Sequence, residues 1–229
     1  MKWPKLVRRL RGAAAMRLGR ISTTRPLSAD FGFSRGTPID RYYIEQFLQA
    51  HSADIRGDTL EVGDDSYSRR FGRDRIGRQD VLHVDPRYAG ATIVGDLATS
   101  GTLPALTFDC IILTQTLQLI MDVEAAVRHL RGALKPGGIL FVTVPGVSSV
   151  DRSEWGGRWC WSMTEHALRT MLENAFGTND VRTKTYGNLF AATAFLHGAS
   201  VEDTGTMRLN PVDAAYPVLV AGRARAAST

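Results

Sequence analysis

Three acidic residues and a glycine stand where short apolar runs break, and their order along the chain defines a chemistry. Leu60-Glu61-Val62-Gly63-Asp64 closes a first run, and glycine at a strand-to-helix turn lets a ligand lie against the backbone. Twenty-four residues past Glu61, Leu82-His83-Val84-Asp85 closes a second. An acid there is placed to accept from both hydroxyls of a ribose. Gly95-Asp96-Leu97 closes a third run, where a carboxylate accepts from an exocyclic amine. In this order, these residue types would hold a nucleoside. Taken singly, Asp85 and Asp96 equally serve as turn formers, and Gly63 equally serves strand–helix packing. Glu61 differs, because an unpaired carboxylate inside an apolar strand costs roughly several kcal/mol.

The elements that must position these groups follow from hydrophobic periodicity. Thr37-Pro38-Ile39-Asp40 offers an N-cap, a proline at the first helical position and an acid three residues after the cap. Ile39, Tyr43, Ile44, Phe47 and Leu48 then predict a helix ending near Gly57. Arg41, Tyr42 and Tyr43 on that helix are candidates to reach the same pocket, but spacing does not orient them. Apolar runs at 59–62, 81–84, 91–94, 108–113 and 139–144, bounded by Gly, Asp or Pro, predict buried parallel strands. A helix over 122–134 is stopped by Lys135-Pro136-Gly137-Gly138, and another over 164–175 is closed by Gly177. Late strands are predicted at 181–186 and 217–221. The alternation implies an open, mostly parallel α/β sheet with right-handed crossovers and helices on both faces. Ligands in such sheets bind beyond the carboxyl ends of the strands, at the switch point.

The 108–119 strand and turn, followed at a set distance by Leu134-Lys135-Pro136-Gly137-Gly138, resembles class I S-adenosylmethionine-dependent methyltransferases of the broad small-molecule type. The resemblance covers roughly residues 58–176. It implies a Rossmann-like sheet of seven strands and S-adenosylmethionine as cofactor. By position, Glu61, Gly63 and Asp64 would cradle the methionine end, with Tyr67 covering it. Asp85 would hold the ribose, Asp96 with Leu97 the adenine, and Gln115 would lie near the sulfonium. The chain departs from the family's acid-x-Gly-x-Gly-x-Gly, having Asp65 and Tyr67 at the second and third glycines. Either the loop is reshaped and still binds, or the chain is a catalytically silent module that binds a partner. A nicotinamide dehydrogenase is disfavoured, since no Gly-x-Gly-x-x-Gly follows the first strand. Ser66 lacks the Gly-x-Ser-x-Gly elbow of a hydrolase.

Three of the four tryptophans, Trp155, Trp159 and Trp161, fall within seven residues, in the region that roofs the acceptor pocket in the resembling fold. Beside Arg152, Glu154 and Arg158 they suit a sugar or another flat polar acceptor, or else they pack a lid or subunit contact. Oxygen methylation of a small or glycosylated acceptor in a bacterial-type biosynthetic setting is the expected chemistry. A hydroxyl acceptor wants a base within hydrogen-bond reach, and His166 is the candidate. The alternative for it is a solvated first-turn residue.

Of the 229 residues, 44% are hydrophobic and 22% charged, which excludes collagen-like, wholly disordered and disulfide-scaffold chains. Cys110 and Cys160 have no metal-ligand spacing, so neither a metal site nor a disulfide framework is expected, and a reducing cytoplasm is the default. The net charge of +5 hides an asymmetry. Residues 1–25 carry eight basic side chains and no acid, and the remainder has a small acidic excess. Nucleic-acid binding by the body is therefore not expected. Trp3, Leu6, Val7, Leu10, Ala14 and Leu18 recur at helical spacing among the arginines. We read residues 1–36 as a basic amphipathic arm, suited to an anionic inner membrane surface or a protein partner, and 37–229 as one domain. The alternative for the arm is a solvated extension. Its apolar stretch at 13–16 is too short for a secretory signal.

Overall fold

The computed structural model describes residues 24–228; the amphipathic pattern at 3–18 lies outside them. Seven strands form one sheet: β1 (Gly57–Val62), β2 (Ile76–His83), β3 (Ile93–Val94), β4 (Phe108–Thr114), β5 (Leu134–Pro145), β6 (Val181–Tyr186) and β7 (Leu219–Arg225). Their order is β3-β2-β1-β4-β5-β7-β6. Pairs among the first five are parallel, while β7 runs antiparallel between β5 and β6. The order reverses between β1 and β4. That is the switch point.

Alternation along β4 explains why it reads as a continuous apolar run. Ile111 and Leu113 face one core, and Cys110 and Ile112 face the other. The second core is closed by α1 (Ile39–Ala50) and α4 (Leu189–Leu196), the first by α2 (Val123–Ala133) and α3 (Glu165–Phe176). Asp122 and Thr164 cap α2 and α3 by accepting from Ala125 N and Ala167 N. A last turn, α5 (Val201–Thr204), carries a reciprocal box between Ser200 and Asp203. The crossover from β1 to β2 is a five-residue π-turn, Ser68–Gly72, in place of an α-helix.

Several boundaries differ from the sequence reading. The first helix stops at Ala50, short of Gly57. Thr37 does not cap it: Pro38 sits at the cap position with no side-chain bond. Thr37 N and Oγ1 instead donate to Glu202 at 2.7 and 2.9 Å. A carboxylate 165 residues away has taken the hydroxyl. Lys135-Pro136-Gly137-Gly138 lies within β5, since that strand already starts at Leu134. Gly138 is needed there because a Cβ would meet Phe108 O at 2.9 Å. Lys135 Nζ donates to Asp58 and Asp109, each at 2.8 Å, tying the amino-terminal ends of three central strands, opposite the switch point. The last strand runs to Arg225, four residues past its expected end.

Residues 27–36 pack on the body. Leu27 N donates to His197 O at 2.7 Å, Arg35 forks onto Asp203, and Phe31 stacks on both Phe195 and Trp159. Among the described residues no helix is long and apolar enough to cross a membrane.

Candidate active site

A cavity of about 530 Å³ opens at the carboxyl ends of β1, β2 and β4, within the ~300–1,000 Å³ usual for small-molecule sites. Its floor is Gly63, where β1 ends. Gly63 has φ +103°, and among the described residues, its two chain neighbours aside, no atom lies within 4 Å of the position a Cβ would take. The backbone is therefore bare toward the cavity. Asp64 turns the loop by accepting from Ser66 N at 2.8 Å.

Glu61 is 2% exposed and lines the same wall. Its Oε1 accepts from Tyr67 N at 3.1 Å and its Oε2 from Ser68 N at 2.7 Å. It satisfies the donors that begin the π-turn and so shapes the loop. Burial pushes its carboxyl up to about 7, against the opposing pull of those donors. Asp65, at the second glycine position of the expected pattern, turns outward to Arg69 at 2.5 Å and does not line the cavity. Tyr67, at the third, is 8% exposed, lines the cavity and accepts from Arg41 Nη1 at 3.0 Å.

Asp96, Leu97 and Gln115 line the cavity from the β3 and β4 ends. Asp96 Oδ1 accepts from Ala98 N at 2.8 Å. Gln115 holds a left-handed backbone, φ +47°, and its Oε1 accepts from Gln118 Nε2 at 3.2 Å. Such strained residues persist where surrounding structure fixes them, often beside ligand sites. Gln118 Oε1 faces the cavity region buried and without a partner among the described residues.

Three expected residues lie elsewhere. Asp85 does not line the cavity. Arg87, two residues on, forks onto its carboxylate at 2.6 and 2.9 Å and holds it down near 2. His166 is exposed and absent from the cavity wall. It precedes buried Leu168 of α3 by two residues, a rotation of about 200° that turns it to solvent. His166→Ala is expected to leave turnover unchanged, which steady-state kinetics would check. Trp161 is 38% exposed, and its Nε1 donates to Ile120 O at 2.8 Å. It clamps the roof to the turn after β4, whereas Trp155 and Trp159 do face the cavity.

Other wall residues escaped the sequence reading or were left unoriented by it. His83, from the second apolar run, lines the cavity, stacks on Tyr88 and meets Trp155 edge-on. Its Nδ1 lies 3.0 Å from Asp85 N and 3.2 Å from Asp85 O, so the backbone after β2 fixes the ring against the cavity. Phe31 and Phe33 come from the segment before α1, and Asp40 and Arg41 from its first turn. The position of Asp40 beside the cap was visible in the sequence, though read there as a capping acid. Tyr42 and Tyr43 point away, to Asn210 Oδ1 and Leu209 O. Among the described residues no group of three or more His, Cys, Asp or Glu is placed to hold a metal.

A family described as a methyltransferase domain matches residues 27–179. In three dimensions the chain is similar to an S-adenosylmethionine-dependent methyltransferase from Archaeoglobus fulgidus, at 11% identity over 81% of this chain and 94% of that one, with TM-score 0.53. An S-adenosylmethionine-dependent methyltransferase from Mesorhizobium loti shows 14% identity over 82% and 97%, with TM-score 0.53. The cyclase SpnF shows 14% over 98% and 96%, with TM-score 0.55. At these identities the likeness concerns the fold. No curated protein matches the sequence.

Proposed function

The chain belongs to the methyltransferase-domain family and is a class I S-adenosylmethionine-dependent methyltransferase, and we propose that it methylates a hydroxyl of a small or glycosylated acceptor. Gly63 carries the reading. Its bare backbone beneath an open cavity gives the cofactor's methionine end the close approach that any side chain would deny. The bound cofactor supplies a methyl group already activated on sulfonium. Asp64, Tyr67 and Gln115 would border the methionine end, Asp96 and Leu97 the adenine. Asp85 would take the ribose by exchanging its exposed pairing with Arg87, which water and salt already screen.

Trp155 and Trp159 face the cavity beside Ser153, Asp151 and Arg158, flat apolar surfaces among polar groups that suit a hydroxyl-bearing ring. What the protein must supply is chiefly orientation, which is worth ~7–11 kcal/mol in well-aligned reactions. The basic segment 1–25 would carry the enzyme to an anionic surface or partner in the cytoplasm.

A second reading is favoured by Asp65 and Tyr67 in place of glycines: a module that keeps the fold and binds without transfer. SpnF, named a cyclase, has this fold as well. Titration with S-adenosylmethionine tests the site. At a hundredfold excess over the dissociation constant it should stabilise the protein by about 2.7 kcal/mol, read by thermal melting. A folded protein that shows no shift and no heat of binding would overturn the proposal.

A further inference from the structure

Arg41 projects from the first turn of α1 into the cavity wall and is partly buried. Its guanidinium lies 5.9 Å from the ring centres of both Phe33 and Tyr67, so apolar faces hold it in place. Of its five N–H donors, one has a partner among the described residues: Nη1 donates to Tyr67 Oη at 3.0 Å. Among the described residues no carboxylate lies within 4 Å of it. A sheltered cation with most of its fork unused calls for an anion, and planar bidentate pairing with a carboxylate is what that fork fits best.

The neighbouring residue points to the same kind of ligand. Asp40 Oδ1 is closed to solvent and has no hydrogen-bond partner among the described residues, and burial pushes its carboxyl above the usual range. The two charges attract each other along one wall, yet most of the guanidinium fork and one carboxylate oxygen have no hydrogen-bond partner among the described residues. That is a receptor for a zwitterion. Gly63 and Asp64 stand in the same cavity.

We propose that Arg41 binds the α-carboxylate of the cofactor's amino-acid end, with Tyr67 as its positioning residue and Asp40 facing the ammonium. The assignment rests on the methyltransferase reading. It also explains the departure at the third glycine: the tyrosine there supplies the hydroxyl that aims Arg41.

The probes are S-adenosylhomocysteine, which has the amino-acid end, and 5′-methylthioadenosine, which lacks it. Calorimetry on the full chain would compare wild type with Arg41→Met, Arg41→Lys and Tyr67→Phe. Arg41→Met should weaken S-adenosylhomocysteine about 10- to 100-fold and leave methylthioadenosine within twofold. Arg41→Lys should recover part of the loss, and Tyr67→Phe should lose a few-fold, again for the first probe alone. Equal weakening of both probes would mean that Arg41 only supports the fold, and would overturn the assignment. Undiminished S-adenosylhomocysteine binding would overturn it too, leaving Arg41 to an acceptor's carboxylate. A wild type that binds neither probe would take down the methyltransferase reading first, and this with it.

Discussion

Gly63→Val should weaken S-adenosylhomocysteine at least a hundredfold while the protein remains folded. Two effects combine. At φ +103° a branched side chain is strained, by about 1–3 kcal/mol, a tolerable share of a typical ~5–15 kcal/mol margin. The larger effect falls on binding, because Gly63 lines the cavity and the Cβ position is open among the described residues, so a side chain there takes room from the ligand. Gly63→Ala adds one carbon at the same place and should lose about tenfold. Calorimetry reports affinity, and circular dichroism melting confirms the fold in the same samples. Near-wild-type affinity in a folded valine variant would place the ligand elsewhere.

Glu61 should set a falling dependence of stability on pH. Its carboxyl is near the ordinary value of 4.5 when unfolded and about 7 when folded. Between these values the folded state holds a proton that the unfolded state has released, so unfolding becomes easier as pH rises. The loss begins near pH 4.5, is complete a little above pH 7, and totals about 3 kcal/mol. Urea titrations from pH 4.5 to 8 should show it, and Glu61→Gln should remove that slope. Glu61→Ala acts differently. It strands Tyr67 N and Ser68 N in the interior, at about 1–3 kcal/mol for each buried donor left unmade. A combined loss of about 2–6 kcal/mol would unfold much of the protein in mild urea. A wild type whose stability rises across that range would contradict the argument.

These two residues show which parts of the site could be read from the chain. Gly63 and Glu61 are set by local demands, a turn after a strand and an acid inside an apolar run, and such demands leave a mark in a few neighbouring residues. The strands of the sheet were legible for the same reason: β4 and β5 bury both faces and so carry unbroken apolar runs. What escaped depends on docking. The face of α1 that meets the cavity is fixed by contacts with β5, β7 and the 195–210 region, so Arg41 could not be oriented from its own spacing. His166 and Trp161 have the right residue types near the right place. The phase of α3 turns one outward, and a carbonyl at Ile120 captures the other. Asp85 was correctly placed at a strand end, but the competing arginine lies only two residues away. Thr37 was lost to a carboxylate from the far end of the chain.

The place of β7 in the sheet has a consequence for synthesis. β6 pairs with β7 alone, and one long margin of β5 is covered only by it. On the ribosome, every other strand has emerged before Leu219 appears. Until then the nascent chain displays a seven-residue, largely apolar border, Ile139–Pro145, with its peptide groups unpaired, a template for joining a neighbouring polypeptide. Release from that hazard comes only when the final strand slides home.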